Sequence, residues 1–282
     1  DFNNVDISLH GGEPLAVGRD HLAALVQTIR SVLEPHCRLS IGMQTNGVLL
    51  DERMLEVIAR EQLTVGVSLD GPPSVNDKSR IYRDGRGSGL QAEATLKLIQ
   101  ASPAFGGILC VIDGGSDPLE VFHYLASFNP PNLDFLLPHG NWTSRPPLKQ
   151  QKGTAYGEWL SKIFDAWIHG AHSGISIRIF EEIIVRLAGH SGSLESIGLE
   201  PVALAVIATD GSYEGVDTLK SVYPRAHILG LHVDLHSLDE VLLHPFVAMR
   251  QEGIDALSPI CQQCDLVGIC GGGYLPHRYA TA

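Results

Sequence analysis

Cys261, Cys264 and Cys270 form a C-x2-C-x5-C run that leads directly into Gly271-Gly272-Gly273. Three thiolates at this spacing on a glycine-rich turn suit either an iron-sulfur cluster, which takes four sulfur ligands, or a zinc ion completed by His277. The adjoining glycines let backbone N–H groups point at such a centre. A chance grouping of free buried cysteines is the third reading. Five cysteines is an odd count, and three of them fall within ten residues. That pattern reads as a metal site in a reducing compartment better than as a disulfide scaffold. Cys37 and Cys110 stand apart and read as bystanders.

At the other end, His10-Gly11-Gly12-Glu13-Pro14 closes an apolar strand. Two adjacent glycines let a backbone come close to a ligand, and Glu13 supplies a carboxylate able to bind a cation such as an amino group. The plainer reading of the same residues is a tight turn with Glu13 near a helix start. His10 and Glu13 alone make a poor metal site, since most of the coordination sphere is missing. Gln44-Thr45-Asn46-Gly47 and Ser68-Leu69-Asp70-Gly71-Pro72 are two further strand exits built from ordinary turn chemistry. Three such exits on one rim are harder to dismiss than any one of them. Asp77, Arg80 and Arg83 follow in a polar loop, where an arginine can fork onto a ligand carboxylate, although a solvated side chain is the simpler reading for Arg83.

The elements that must position these residues are legible from periodicity. Apolar runs predict strands at Val5 to Leu9, Leu39 to Met43, Thr64 to Leu69, Gly107 to Ile112 and Leu133 to Leu137. Between them, helices are expected over His21 to Leu33, with Leu22, Leu25, Val26, Ile29 and Leu33 on one face, and over Glu52 to Arg60, Ala92 to Gln100 and Leu119 to Phe128. This alternation predicts an α/β fold with a parallel, helix-covered sheet. Such sheets hold ligands at the carboxyl ends of their strands, where His10 to Glu13, Gln44 to Gly47, Asp70 to Pro73 and Pro138 to Asn141 gather small and polar residues. After Pro146-Pro147 the pattern changes to a helix over Tyr156 to Ile168, whose aromatic stripe reads as core, and a second over Phe180 to Leu187. The stretch Ser144 to Gly153, rich in Pro, Lys and Gln, reads as a linker. The expected division is residues 1–145, a helical connector at 146–198, and a cysteine-bearing region at 199–282.

Composition bounds the function. At 282 residues and 44% hydrophobic content the chain can bury a full core. A net charge of -12 argues against nucleic acid, whose phosphates need clustered Lys and Arg, and against an acidic partner surface. No apolar run approaches the roughly 20 residues that span a bilayer, so no membrane partner is expected and a cytoplasmic location is. Glu181-Glu182 reads as a solvated helix face, with contact to a leader peptide as the alternative.

In order and spacing, His10 to Leu15, Gln44 to Leu49, Ser68 to Pro72 and Cys261 to Gly273 resemble the radical S-adenosylmethionine (SAM) enzymes with a SPASM-type C-terminal extension, over nearly the whole chain. Within that group Leu136 to Trp142 (LLPHGNW), Arg178 to Phe180 and Cys270 to Tyr279 (CGGGYLPHRY) look most like FxsB-type maturases of ribosomally made peptides (RiPPs), relatives of cyclophane-forming enzymes. The resemblance implies a partial (β/α)6 TIM-like barrel from its second strand onward, joined to a SPASM-like iron-sulfur extension. It implies that Gly11, Gly12 and Glu13 hold the methionyl amino group of SAM, that Asn46, Ser68 and Asp70 line its ribose and methionine side, and that Arg80 lies near its carboxylate. It also implies that Cys261, Cys264 and Cys270 ligate an auxiliary 4Fe-4S cluster.

Three departures from the family pattern shape the expectation. The C-x3-C-x2-C triad of the SAM-cleaving cluster would lie before Asp1, Tyr274 stands where many SPASM domains have a cysteine, and the last ligand would lie after Ala282. The chain is therefore expected to be truncated at both ends and inactive by itself toward SAM. The intact enzyme is expected to be an oxidoreductase that reduces SAM to a deoxyadenosyl radical, with electrons from a flavodoxin or ferredoxin, and aims it at a C–H bond of a precursor peptide carrying a leader, installing a crosslink. The alternatives are a sulfatase-maturase-like oxidation of Ser or Cys to formylglycine, and a degenerate noncatalytic paralogue that binds peptide or zinc.

Overall fold

The computed structural model describes residues 3–147, 154–170, 172, 174–201 and 204–281. Residues 148–153 of the expected linker lie outside the described residues. The chain folds as two compact units, one made of Asp1–Leu137 with Gln151–Arg178 and the other of Pro138–Gln150 with Ile179–Ala282.

The first unit is a partial barrel. Five strands, β1 (Asn4–Leu9), β2 (Arg38–Thr45), β3 (Thr64–Ser68), β4 (Phe105–Val111) and β5 (Leu133–Leu136), pair in chain order. Every pairing is parallel, with Ile7 opposite Ile41, Met43 opposite Val65, and Cys110 opposite Phe135. Parallel pairing sends all five carboxyl ends to one rim, because each crossover returns the chain to the start of the next strand. Between the strands lie α1 (Arg19–Leu33), α2 (Glu52–Arg60), α3 (Pro73–Asn76), α4 (Gly89–Ile99) and α5 (Pro118–Ala126), followed after β5 by α6 (Ala155–His169). Side-chain caps start two of these helices, Asp51 accepting from Met54 N at 2.7 Å and Asp117 from Leu119 N and Glu120 N at 2.9 Å.

The five expected strands and the helices between them are all present, with ends moved by a few residues. One expected face is corrected: α1 buries Leu22, Ala23 and Val26, whereas Leu25 is 45% exposed. At about 100° per residue, Leu25 falls on the flank of a stripe centred between Ala23 and Val26. The aromatic stripe of α6 is core, as read: Trp159, Ile163 and Trp167 are buried, Trp159 packs edge-on against Phe135, and Trp167 Nε1 donates to Ile175 O at 2.8 Å.

Gly107 is where the sheet leaves least room. Its φ is +138°, which side chains rarely adopt, and a Cβ there would collide with the backbone carbonyl of Asn132, whose oxygen accepts from Ile108 N at 2.9 Å. Gly107→Ala is expected to destabilise the protein by about 2–4 kcal/mol, since strain and a backbone clash act together. A urea unfolding curve shifted by less than about 1 kcal/mol would contradict this placement.

The second unit takes up α7 (Arg178–Leu187) from Ile179 onward, followed by a three-stranded antiparallel sheet of β6 (Val206–Ile207), β7 (Ser212–Glu214) and β8 (Ile228–His232), in that order. Periodicity did not reveal it, because its strands are only two to five residues long. Tyr213, Leu229, Val241 and Val247 make a small core from β7, β8, α8 (Leu238–Leu243) and α9 (Pro245–Ala248). Further along, α10 (Pro259–Gln262) carries Cys261 and α11 (Val267–Cys270) ends on Cys270, with Cys264 between them. The acidic pair on α7 is not a solvated face: Glu181 is exposed, but Glu182 is buried, accepts from Ser193 N at 2.8 Å and pairs with Arg186 at 3.5 Å. Arg186 is also paired with Glu200, so the charges of Glu182 and Arg186 are met inside the unit. No helix among the described residues is long and apolar enough to cross a membrane.

Candidate functional site

The rim of the partial barrel gathers the exits of β1, β2 and β3. After β1, Gly11 has φ +141°, a conformation glycine alone adopts readily, and nothing lies within 4 Å of where a Cβ would stand on Gly11 or Gly12. Both backbones are exposed. Glu13 then caps the 3-10 turn Pro14–Val17 by accepting from Leu15 N at 3.1 Å. The turn reading and the ligand reading of Glu13 are therefore compatible, because the same carboxylate reaches β2: Oε1 accepts from Thr45 Oγ1 at 2.5 Å and Oε2 from Asn46 N at 2.8 Å. Each carboxylate oxygen has two lone-pair positions. Oε1 is filled by Leu15 and Thr45, whereas Oε2 retains one position beside two open glycines.

Asn46 does double service as well. Its N–H goes to Glu13 and its Oδ1 accepts from Val48 N at 2.9 Å, an Asx turn. The Gly47 that follows has φ +77° and its carbonyl accepts from Thr95 Oγ1 at 2.6 Å, tying the exit of β2 to α4. On the neighbouring strand Ser68 Oγ accepts from Gln44 Nε2 at 2.8 Å. The Gln44 side chain has room because Gly66 stands opposite it in register, where a Cβ would come 3.1 Å from Gln44 Cδ.

Asp70 and Arg80, two expected ligand residues, are brought together and face each other. Arg80 Nε donates to Asp70 Oδ2 at 2.6 Å and Nη2 to Oδ1 at 2.9 Å, while Val111 N donates to Oδ1 at 2.9 Å. The fork is bidentate and the carboxylate is 7% exposed. It braces the exit of β3 to that of β4. Asn76, fully buried, extends the brace by accepting from Asp70 N at 3.2 Å and donating to Asp77 Oδ1 at 3.0 Å. Arg83 is exposed, as the simpler reading had it. Asp113, at the exit of β4, is pushed up by burial, but the Lys78 ammonium at 2.7 Å and the Gly115 N–H outweigh this and hold its carboxyl below the usual range. Burial pushes the Cys110 thiol well up, which makes it inert, in keeping with a bystander.

Two contributors were not singled out in the sequence. Thr45 is a buried hydroxyl on a strand that otherwise buries Ile41 and Met43. Asp134 sits between Leu133 and Phe135 in the shortest barrel strand and accepts from Arg178 Nε at 2.9 Å. A carboxylate inside an apolar strand was the available signal for it.

In the second unit Cys261 lies on α10, Cys264 in the turn after it, and Cys270 at the last position of α11. Cys264 and Cys270 are exposed and Cys261 is partly so. The triple-glycine turn follows at once, all three with positive φ. Tyr274 donates to or accepts from Thr218 Oγ1 at 2.6 Å, and burial raises its phenol. His277 is half-buried, and burial together with His139 lowers its imidazole. Among the described residues no three His, Cys, Asp or Glu side chains converge as metal ligands do. The donor chemistry nonetheless fits a thiophilic metal, three thiols on adjoining turns followed by glycines.

No protein-family profile matches the chain. In sequence it is 24% identical over 219 residues to the cysteine-type anaerobic sulfatase-maturating enzyme of Clostridium perfringens, a match covering 73% of this chain and 57% of that enzyme. It is 20% identical over 300 residues to the serine-type enzyme of Bacteroides thetaiotaomicron, covering 96% of this chain and 69% of that one. The chain thus spans little more than half the length of the cysteine-type relatives it matches, 52–57%. In three dimensions it superposes on native anSMEcpe with bound AdoMet with a TM-score of 0.80 at 22% identity, covering 99% of this chain and 78% of that one. On Streptococcus suis SuiB the TM-score is 0.55 at 13% identity, covering 98% and 66%. The chain has the partial-barrel fold of anSMEcpe, and its sequence similarity to sulfatase-maturating enzymes extends over nearly its whole length.

Proposed function

We propose that this chain is the SAM- and peptide-handling part of a radical SAM maturase that modifies a side chain of a ribosomally made precursor peptide. The observation that carries the reading is the single open acceptor position on Glu13 Oε2, fixed by Thr45 and Asn46 beside the open glycines of the β1 exit. That position suits one N–H of an amino group, and Gly11 and Gly12 allow close backbone approach. Asn46 and Ser68 flank it on the next strand exits, and the Asp70–Arg80 brace sets the far edge. SAM, bound there and reduced, would supply the hydrogen-abstracting chemistry. The protein's own share is to hold the amino group and to fix the rim so that the reacting centre is aimed and shielded from water.

Cys261, Cys264 and Cys270 would hold an auxiliary 4Fe-4S cluster in a SPASM-like extension, with a flavodoxin or ferredoxin as electron donor. A peptide substrate is supported by the relatives, which are named as sulfatase-maturating enzymes, and by the superposition on anSMEcpe solved with AdoMet and bound peptides. Two outcomes of the chemistry are in play. FxsB-like matches at Leu136 to Trp142 favour a crosslink; the TM-score of 0.80 to anSMEcpe favours formylglycine formation.

The full product of the gene, anaerobically reconstituted and supplied with SAM, reductant and a candidate precursor peptide, decides between them by tandem mass spectrometry with a hydrazine trap. A peptide that has lost two hydrogens, bridges two residues and ignores hydrazine is the expected crosslink product. A hydrazine-reactive aldehyde assigns formylglycine formation instead. Failure to form deoxyadenosine with a loaded cluster would sink the radical reading and leave a binding module.

A further inference from the structure

The turn after Cys270 is held by a residue outside the cysteine run. Gly271, Gly272 and Gly273 have φ of 62°, 76° and 79°, so three successive left-handed residues carry the chain away from α11. Such a turn has little intrinsic stiffness, because glycine loses the most conformational freedom on ordering. Arg278 closes on it from one side. Its Nε donates to Gly273 O at 2.8 Å, and its Nη2 donates to Gly271 O and to Gly273 O, each at 2.6 Å. On another side Gly271 abuts the backbone of Gly198, where a Cβ would collide with the Gly198 carbonyl. The turn is therefore clamped between a backbone and a guanidinium.

The same guanidinium lies in the field of two thiols. Burial pulls Arg278 down from its usual range, and the charges of Cys261 and Cys270 oppose that shift. A guanidinium is a permanent positive charge, of the sign that offsets the negative charge several thiolates accumulate around one metal.

We propose that Arg278 is the positioning residue of a thiophilic-metal site formed by the cysteine run: it locks the Gly271–Gly273 turn that follows Cys270. This rests on reading the cysteine run as a metal site. The planar fork holds the turn through two nitrogens in fixed geometry, Nε and Nη2, whereas lysine offers a single nitrogen on a flexible stem, so Arg278→Lys should keep the charge and lose part of the clamp.

The test is a cobalt(II) titration of the whole chain under anaerobic conditions, read by the thiolate-to-cobalt absorption band, with circular dichroism as the folding control. The wild type is expected to show the band and Cys270→Ser to lose it. Arg278→Gln should bind at least about tenfold more weakly, the scale of one charge-assisted contact, with Arg278→Lys between the two. Arg278→Gln with wild-type affinity and spectrum overturns the role of Arg278 and leaves the metal reading standing. No thiolate band in the wild type overturns the metal reading itself, and this inference with it. Should Arg278→Gln fail to fold, Arg278→Lys decides, since wild-type affinity there overturns the clamp and a several-fold loss supports it.

Discussion

Glu13→Gln is expected to weaken SAM binding about 10- to 100-fold while leaving the fold intact, and this is the largest effect on ligand affinity that the structure implies. The carboxylate is an acceptor at every lone pair, and three of its four positions are already taken by Leu15 N, Thr45 Oγ1 and Asn46 N. An amide can replace the acceptors at only one of its two heavy atoms. Either Thr45 and Leu15 lose their partner or Asn46 N and the ligand amino group meet an NH2. A hydrogen bond between charged partners contributes about 1.5–3 kcal/mol, which converts to the stated range at roughly 1.4 kcal/mol per tenfold. Stability should fall by only about 1 kcal/mol, because Asn46 N is exposed and water can replace the lost acceptor. Calorimetric titration with SAM, with a urea curve alongside, separates the two effects. Wild-type SAM affinity in Glu13→Gln would reduce the turn to a structural strand exit.

The residues that make this site were legible to different depths, for physical reasons. The glycines and Glu13 were visible because a strand exit that needs positive φ and open space is written in glycine, and Gly11 bears that out with φ +141°. The partner of Glu13 was not visible, since Thr45 lies 32 residues away and only the parallel pairing of β1 with β2 brings them together. Long-range register is a property of the sheet, and no local pattern encodes it. The barrel strands were legible because buried parallel strands are continuous apolar runs, as in Thr64 to Ser68 with Val65 and Val67 fully buried. The small sheet of the second unit was not, because strands such as Val206–Ile207 are too short to show any period. Glu182 misled for a related reason: Arg186 lies one turn along the same helix, but Ser193 becomes its neighbour only once the loop after α7 folds back.

The Asp70–Arg80 pair is where stability and binding separate most sharply. Arg80→Met removes the fork and leaves a carboxylate 7% exposed with Val111 N as its remaining donor. Stranding one member of a buried pair costs about 3–5 kcal/mol. Arg80 is 27% exposed, so water recovers part of that and a loss of about 2–4 kcal/mol is expected. The double variant Asp70→Asn with Arg80→Met should regain most of the loss, because no buried charge is left without a partner and the neutral amide can still accept from Val111 N. Urea unfolding of the double variant and of both single variants, Arg80→Met and Asp70→Asn, yields the coupling between the residues. SAM titration of the double variant then tells what the brace is for. Its Nε and Nη2 are spent on Asp70, so a ligand carboxylate can be met only by what the fork leaves over, chiefly Nη1. Recovered stability with lost SAM affinity means that Arg80 reaches the ligand from its braced position. Recovered stability with unchanged affinity means that the pair shapes the rim and touches nothing in it, which would move the carboxylate contact to another side chain.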